Sequence, residues 1–104
     1  MKSRRGDKRY RMHITGRELA ELKKFTWSMA ESSGLDRRIE EYQGKRPIGL
    51  YRWDLDCLEA VVDLALDDAH EYPKNSGPGY DAMTQLCARI KHLRAQAYAD
   101  IPKG

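Results

Sequence analysis

The sequence predicts an all-α fold, a small bundle of three long helices and one short helix behind an extended basic N-terminal arm. Apolar residues recur at helical spacing over most of residues 16–98, glycine or proline closes each such stretch, and no two alternating segments are joined by a hairpin turn. A chain of 104 residues fits one domain, here residues 15–104, with residues 1–14 as an arm that is flexible or docked.

In the arm, Tyr10, Met12 and Ile14 alternate with polar residues, which permits an extended segment. No partner strand is evident, so disorder or docking against the body is expected. Thr15 and Glu18 have the spacing of a capping box, in which each side chain satisfies the other's backbone amide. Helix 1 is therefore expected over 16–33, with Leu19, Leu22, Phe25, Thr26, Met29 and Ala30 on its buried face and Gly34 as its left-handed stop. Trp27 lies about 100° off that face. It is expected to pack under the arm or the 44–51 loop, or else to meet a partner.

Asp36 is placed to cap a short second helix through Ile39 and Tyr42, with Gly44 as its stop, and the stretch 44–49 reads as a connection around Pro47. Helix 3 carries Trp53, Leu55, Leu58, Val61, Val62, Leu64, Ala65 and Leu66 around most of its circumference, so it should be the central element. Its polar ridge, Asp56, Glu59, Asp63 and Asp67, should face solvent or a basic neighbour. Pro73 ends it no later than Tyr72. Helix 4 is expected over 79–98, burying Met83, Leu86, Cys87, Ile90, Leu93 and Ala97 and turning Arg89 and His92 outward.

The net charge of +3 conceals an asymmetry. Residues 1–11 hold six cations, Lys2, Arg4, Arg5, Lys8, Arg9 and Arg11, against Asp7, a net +5 that leaves residues 12–104 at −2. The most apolar stretch, 55–66, is interrupted by Asp56, Glu59 and Asp63, so no membrane span or membrane partner is expected. No apolar run follows the basic N-terminus, as a secretory signal requires, and Cys57 and Cys87 lack the close spacing of a metal or redox motif. The expectation is a cytoplasmic protein with two reduced, buried thiols.

Catalytic chemistry finds little support. Gly44-Lys45 is followed by Arg46, where a phosphate loop needs Ser or Thr, and His13, His70 and His92 stand in no context that would make one a base. Asp67, His70 and Glu71 could share one helix face, yet no other helix supplies the remaining ligands of a metal centre. Accordingly no enzyme, cofactor or metal is expected. The glycine turn from Ala30 to Gly34, followed by Leu35 and arginines, has the spacing of a helix-turn-helix. However, Glu40 and Gln43 stand where that motif needs apolar residues, and Glu40 and Glu41 would repel phosphates.

The clearest surface candidate is basic and aromatic: Tyr42, Lys45, Arg46, Tyr51, Arg52 and Trp53 around the connection before helix 3, with Trp27 as an outlying member. This points first to a small binding or regulatory module engaging a protein partner, steered by the arm's charge. The alternative is nucleic-acid binding, in which Arg4, Arg5, Lys8, Arg9 and Arg11 contact phosphates. A third reading is a small metal protein or enzyme using Asp67, His70 and Glu71. The sequence leaves oligomeric state open.

Overall fold

The computed structural model describes residues 8–29, 32 and 34–100. Among them are four α-helices, α1 Gly16–Leu22, α2 Leu35–Glu41, α3 Arg52–Leu66 and α4 Pro78–Ala99, and a two-stranded sheet of β1 Tyr10–Met12 and β2 Ile48–Leu50. Arg4 and Arg5, two of the expected phosphate contacts, and Ala30 of the helix-turn-helix reading lie outside the described residues.

α3 is central, as expected. Leu55, Leu58, Val61, Val62 and Ala65 are buried, with Leu55, Leu58 and Val62 fully so, and they pack along Met83, Leu86 and Ile90 of α4. Each such aliphatic side chain contributes roughly 1.5–3 kcal/mol of burial. Leu22, Met29, Leu35 and Ile39 close the core from the other side. The acidic ridge of α3 faces a basic neighbour: Arg94 of α4 holds Asp56 at 2.6 Å and Glu59 at 3.2 Å, and Lys91 lies 3.5 Å from Asp63.

Two local expectations need correction. Helix 1 does not run to residue 33, because α1 tightens after Leu22 into a 3-10 segment, Lys23–Ser28, with a non-helical Phe25 at φ −116° and ψ 16°. The hydroxyls of Thr26 and Ser28 bond the carbonyls of Lys23 and Phe25, and this competition weakens a helix already carrying a β-branched and two aromatic residues. The Thr15–Glu18 capping box does not form, since Glu18 is engaged 2.5 Å from Arg89 of α4. α3 stops at Leu66, within the limit that Pro73 sets at Tyr72: consecutive acids at Asp67 and Asp68 oppose the negative end of the helix dipole, and the Asp68 carboxylate accepts the His70 N–H at 2.9 Å to turn the chain.

The fold is also not purely helical. β1 finds the partner that its sequence context did not reveal, pairing antiparallel with β2 in the register Tyr10–Leu50, Arg11–Gly49 and Met12–Ile48. The stretch expected to be only a connection thus supplies a strand. Tyr10, Met12, Ile48 and Leu50 turn inward and are buried, and Ile14 follows them into the core.

Candidate functional site

Side chains alternate across a strand, so burial of Tyr10, Met12, Ile48 and Leu50 turns Arg9, Arg11 and Gly49 to the opposite, outer face of the sheet. Continuing the register by one step sets Arg9 opposite Tyr51. Gly49 leaves room on that face, and Arg9 fills it: a Cβ at position 49 would come 3.2 Å from Arg9 Cδ and 3.3 Å from its Nε.

The loop entering β2 is tied to the end of the arm. The Tyr42 hydroxyl accepts the Ile14 N–H at 3.4 Å and donates to the Arg46 carbonyl, while His13 Nε2 donates to the Gly44 carbonyl at 2.7 Å. Gly44 has φ +78°, and a Cβ there would meet Ile14 O at 3.2 Å and Leu19 Cδ2 at 3.3 Å. This position needs glycine both for its left-handed backbone and for the close approach. The outcome is that Arg46 stands over the same face as Arg9 and Arg11. Together with Pro47 and Gly49 they line an open cleft of about 520 Å³.

These three guanidinium groups have no acidic partner among the described residues. Arg17, Lys23, Arg37, Lys45, Arg52 and Lys74 likewise make no ion pair with an acid among the described residues, but six other cations do. Lys8 lies 3.5 Å from Asp100, Lys24 bridges Glu21 and Glu71, Arg38 is bonded to Asp54, and Arg89, Lys91 and Arg94 all answer carboxylates of α1 or α3. Lys8, expected to meet phosphate, is therefore engaged within the fold.

The chain matches no family model, no curated protein and no solved structure.

The structure divides the basic-aromatic surface expected from the sequence. Tyr51 and Trp53 stack, with ring centroids 4.7 Å apart and planes 12° from parallel, and Trp53 stays 42% exposed at the start of α3. Arg52 turns the other way, lying 5.6 Å from the ring centre of Tyr98 at the end of α4. Lys45 shares a shallower depression of about 230 Å³ with Glu41, Tyr42, Gln43 and Arg46. Trp27 belongs to a different face: it is 78% exposed rather than packed under the arm, and lies with Phe25, Val61 and the 71% exposed Leu64 around a hollow of about 90 Å³.

A second cleft, of about 380 Å³, lies between β1 and α4 and is lined by Arg11, Met12, His13, Ala88, Arg89, His92 and Leu93. Arg89 is held there by Glu18 and by the carbonyl of His13. Arg11 belongs to both clefts, so they meet at its side chain.

Sequence reasoning grouped Arg46 with Arg52 and left Arg9 and Arg11 in a separate arm. Their convergence depends on pairing two segments almost forty positions apart, and the available signal was that both Tyr10–Met12 and Ile48–Leu50 alternate apolar and polar or small residues.

Elsewhere the chemistry is quiet. The Cys87 thiol is pushed up to about 11 by burial and by its hydrogen bond to Asp63, the reverse of an activated nucleophile. Cys57 is half-buried, less so than expected, and no disulfide joins the two cysteines. Asp67, His70 and Glu71 are exposed beyond the end of α3 instead of sharing a helix face, and Glu71 is 3.6 Å from Lys24. Among the described residues no three His, Cys, Asp or Glu side chains are grouped to hold a metal ion, and no helix is long and apolar enough to cross a membrane.

Proposed function

We propose that this chain is a nucleic-acid-binding module that carries a phosphodiester backbone on the outer face of β1 and β2. The observation behind the reading is the set of three guanidinium groups, Arg9, Arg11 and Arg46, that line one cleft with no acidic partner among the described residues. Arginine forks match phosphate oxygens two at a time, and side chains two apart on a strand repeat at about 6.8 Å, which suits a ligand whose anions also repeat. The stacked Tyr51 and Trp53 add an aromatic platform beside these cations, the combination that serves unpaired bases. Arg4 and Arg5 precede β1 in the sequence and add to the positive charge available for steering.

Fluorescence anisotropy with labelled single- and double-stranded DNA and RNA, at several salt concentrations, tests this. An Arg9→Ala, Arg46→Ala double variant is expected to lose affinity more than tenfold, since each phosphate contact is worth roughly 1 kcal/mol or more, while melting as the parent does. Failure of the parent to bind any of these nucleic acids at low salt refutes the reading.

A protein partner is the second reading, and a different observation favours it. Trp27 and Leu64 are large apolar side chains, 78% and 71% exposed, on one face. Exposed aromatic and aliphatic pairs of this kind characterise protein contact surfaces. A protein retained by the parent and by the Arg9→Ala, Arg46→Ala variant, but released by a Trp27→Ala, Leu64→Ser variant, supports it; release by both variants does not.

A further inference from the structure

Resting on the nucleic-acid reading above, we propose that the cleft between β1 and α4 receives an unpaired nucleobase, so that the module takes single strands in preference to duplex. Two features of the cleft point to a base. Its lining is largely apolar, with Met12, Ala88 and Leu93 among its residues, whereas a surface that only held phosphates would have no use for such a lining. The same lining carries Arg11, His13 and His92, side chains of the kinds that stack on base faces and bond their edges.

The cleft is also continuous with the phosphate face. Arg11 lines both hollows and has no acidic partner among the described residues, so one guanidinium can hold the backbone at the point where a base turns inward. The walls are fixed. Arg89 ties α1, α4 and the carbonyl of His13 together, and the ring of His13 is oriented by its bond to Gly44, 2.7 Å away. An opening of about 380 Å³ accommodates a flat ring system. In a duplex every base is stacked and paired, and delivering one here would cost a few kcal/mol of unstacking.

The test uses the full chain and four probes: a labelled oligothymidylate, the same oligonucleotide with one base at a time removed to leave the abasic sugar, a duplex of equal length, and poly-glutamate. Ala88→Trp fills the cleft from an exposed position of α4, and Arg9→Ala with Arg46→Ala serves as the phosphate-face control. The parent is expected to bind the single strand about tenfold more tightly than the duplex, and to lose that margin when the accommodated base is missing. Ala88→Trp should bring single-strand affinity down to that of the duplex and abolish sensitivity to the missing base, with duplex binding and the melting curve unchanged.

Equal affinity of the parent for strand and duplex overturns the inference. So does an Ala88→Trp variant that keeps both the preference and the sensitivity, and in either case loss of binding in the arginine variant leaves the phosphate-face reading standing. Binding of poly-glutamate with no binding of any oligonucleotide removes both and assigns the cationic face to an acidic polypeptide.

Discussion

Arg38 of α2 clips the middle of β2 to the start of α3, where it meets the fully buried carboxylate of Asp54. Its Nη2 donates to Asp54 Oδ2 at 2.6 Å and its Nη1 to the Gly49 carbonyl at 3.1 Å. Asp54 also accepts the Tyr51 N–H at 2.9 Å, which caps α3, and the hydroxyl of Ser32. One carboxylate thus satisfies three donors and fixes the backbone on which Gly49 and Tyr51 of the outer face are carried. Removing it leaves the Tyr51 N–H and the buried Ser32 hydroxyl without their acceptor. We expect Asp54→Ala to cost about 3 kcal/mol or more in urea melts, and Arg38→Ala less, since Arg38 is half-exposed. Equal, small losses for both would show that the clip is dispensable.

Much of the helical layout was legible in the sequence because it rests on local signals. Apolar spacing marks α3 and α4, and Gly34 stands directly before α2, although helix 1 and α3 both stop short of the glycine and proline that follow them. What escaped was non-local. Thr15 and Glu18 have capping-box spacing, but Arg89, seventy-one positions later, competes for Glu18 and wins with a charged hydrogen bond. Similarly, nothing adjacent to Arg11 in the chain announces Arg46; the two meet only because β1 and β2 pair. Arg38 shows the converse, an arginine that reads as part of a basic helix and is spent inside the fold.

The centrality of α3 yields a direct comparison of two kinds of contact. Leu58 and Val62 have no exposed surface, so truncation to Ala leaves a cavity and is expected to cost roughly 2–5 kcal/mol for Leu58 and somewhat less for Val62. Asp63 is about half-exposed and pairs loosely with Lys91 at 3.5 Å, which is worth about 0–1 kcal/mol. Denaturant melts of Leu58→Ala and Asp63→Ala should differ accordingly. A loss for Asp63→Ala as large as that for Leu58→Ala contradicts this assignment of the core.

Glu21 gives a pH dependence with a definite sign. Burial pushes its carboxyl up, but hydrogen bonds from the Tyr72 hydroxyl at 2.7 Å and from Lys24 outweigh burial and hold it below its ordinary value of 4.5. A depressed carboxyl stabilises the fold above its unfolded-state value and loses that contribution as pH falls through the folded one. Stability should therefore decline below about pH 4.5, and Glu21→Gln, which still accepts from Tyr72, should flatten that part of the curve. Unchanged acid dependence in the variant would assign the decline to other carboxyls.

Gly79 depends on the same carboxylate. A Cβ at this position would lie 2.8 Å from Glu21 Cδ, and Glu21 is pinned by Tyr72 and Lys24, so it cannot swing aside without giving up hydrogen bonds. Gly79→Ala favours the helix by its intrinsic propensity, by less than the roughly 1 kcal/mol of an interior site because Gly79 is the second residue of α4, while overpacking here costs about 1–3 kcal/mol. We expect a net loss, measurable by thermal melting. In the Glu21→Ala background the same Gly79→Ala change should become neutral or stabilising.

Salt dependence ties the proposed function to particular side chains. For single strands the slope of log K against log salt is about −0.7 for each phosphate neutralised, so Arg9, Arg11 and Arg46 together account for a slope of about −2 if each meets its own phosphate. Replacing all three by Ala should therefore make the slope less negative by about 2, and each single replacement by about 0.7. These increments should add, because each guanidinium acts on a separate phosphate and none has an acidic partner among the described residues to release. By contrast, Lys8→Ala should change the slope little, since Lys8 already lies 3.5 Å from Asp100. The discriminating case is Arg11. If Arg11→Ala moves the slope by the full single increment, its guanidinium serves the backbone; if affinity falls while the slope stays fixed, Arg11 is acting on a base in the adjoining cleft instead, and the phosphate face reduces to Arg9 and Arg46.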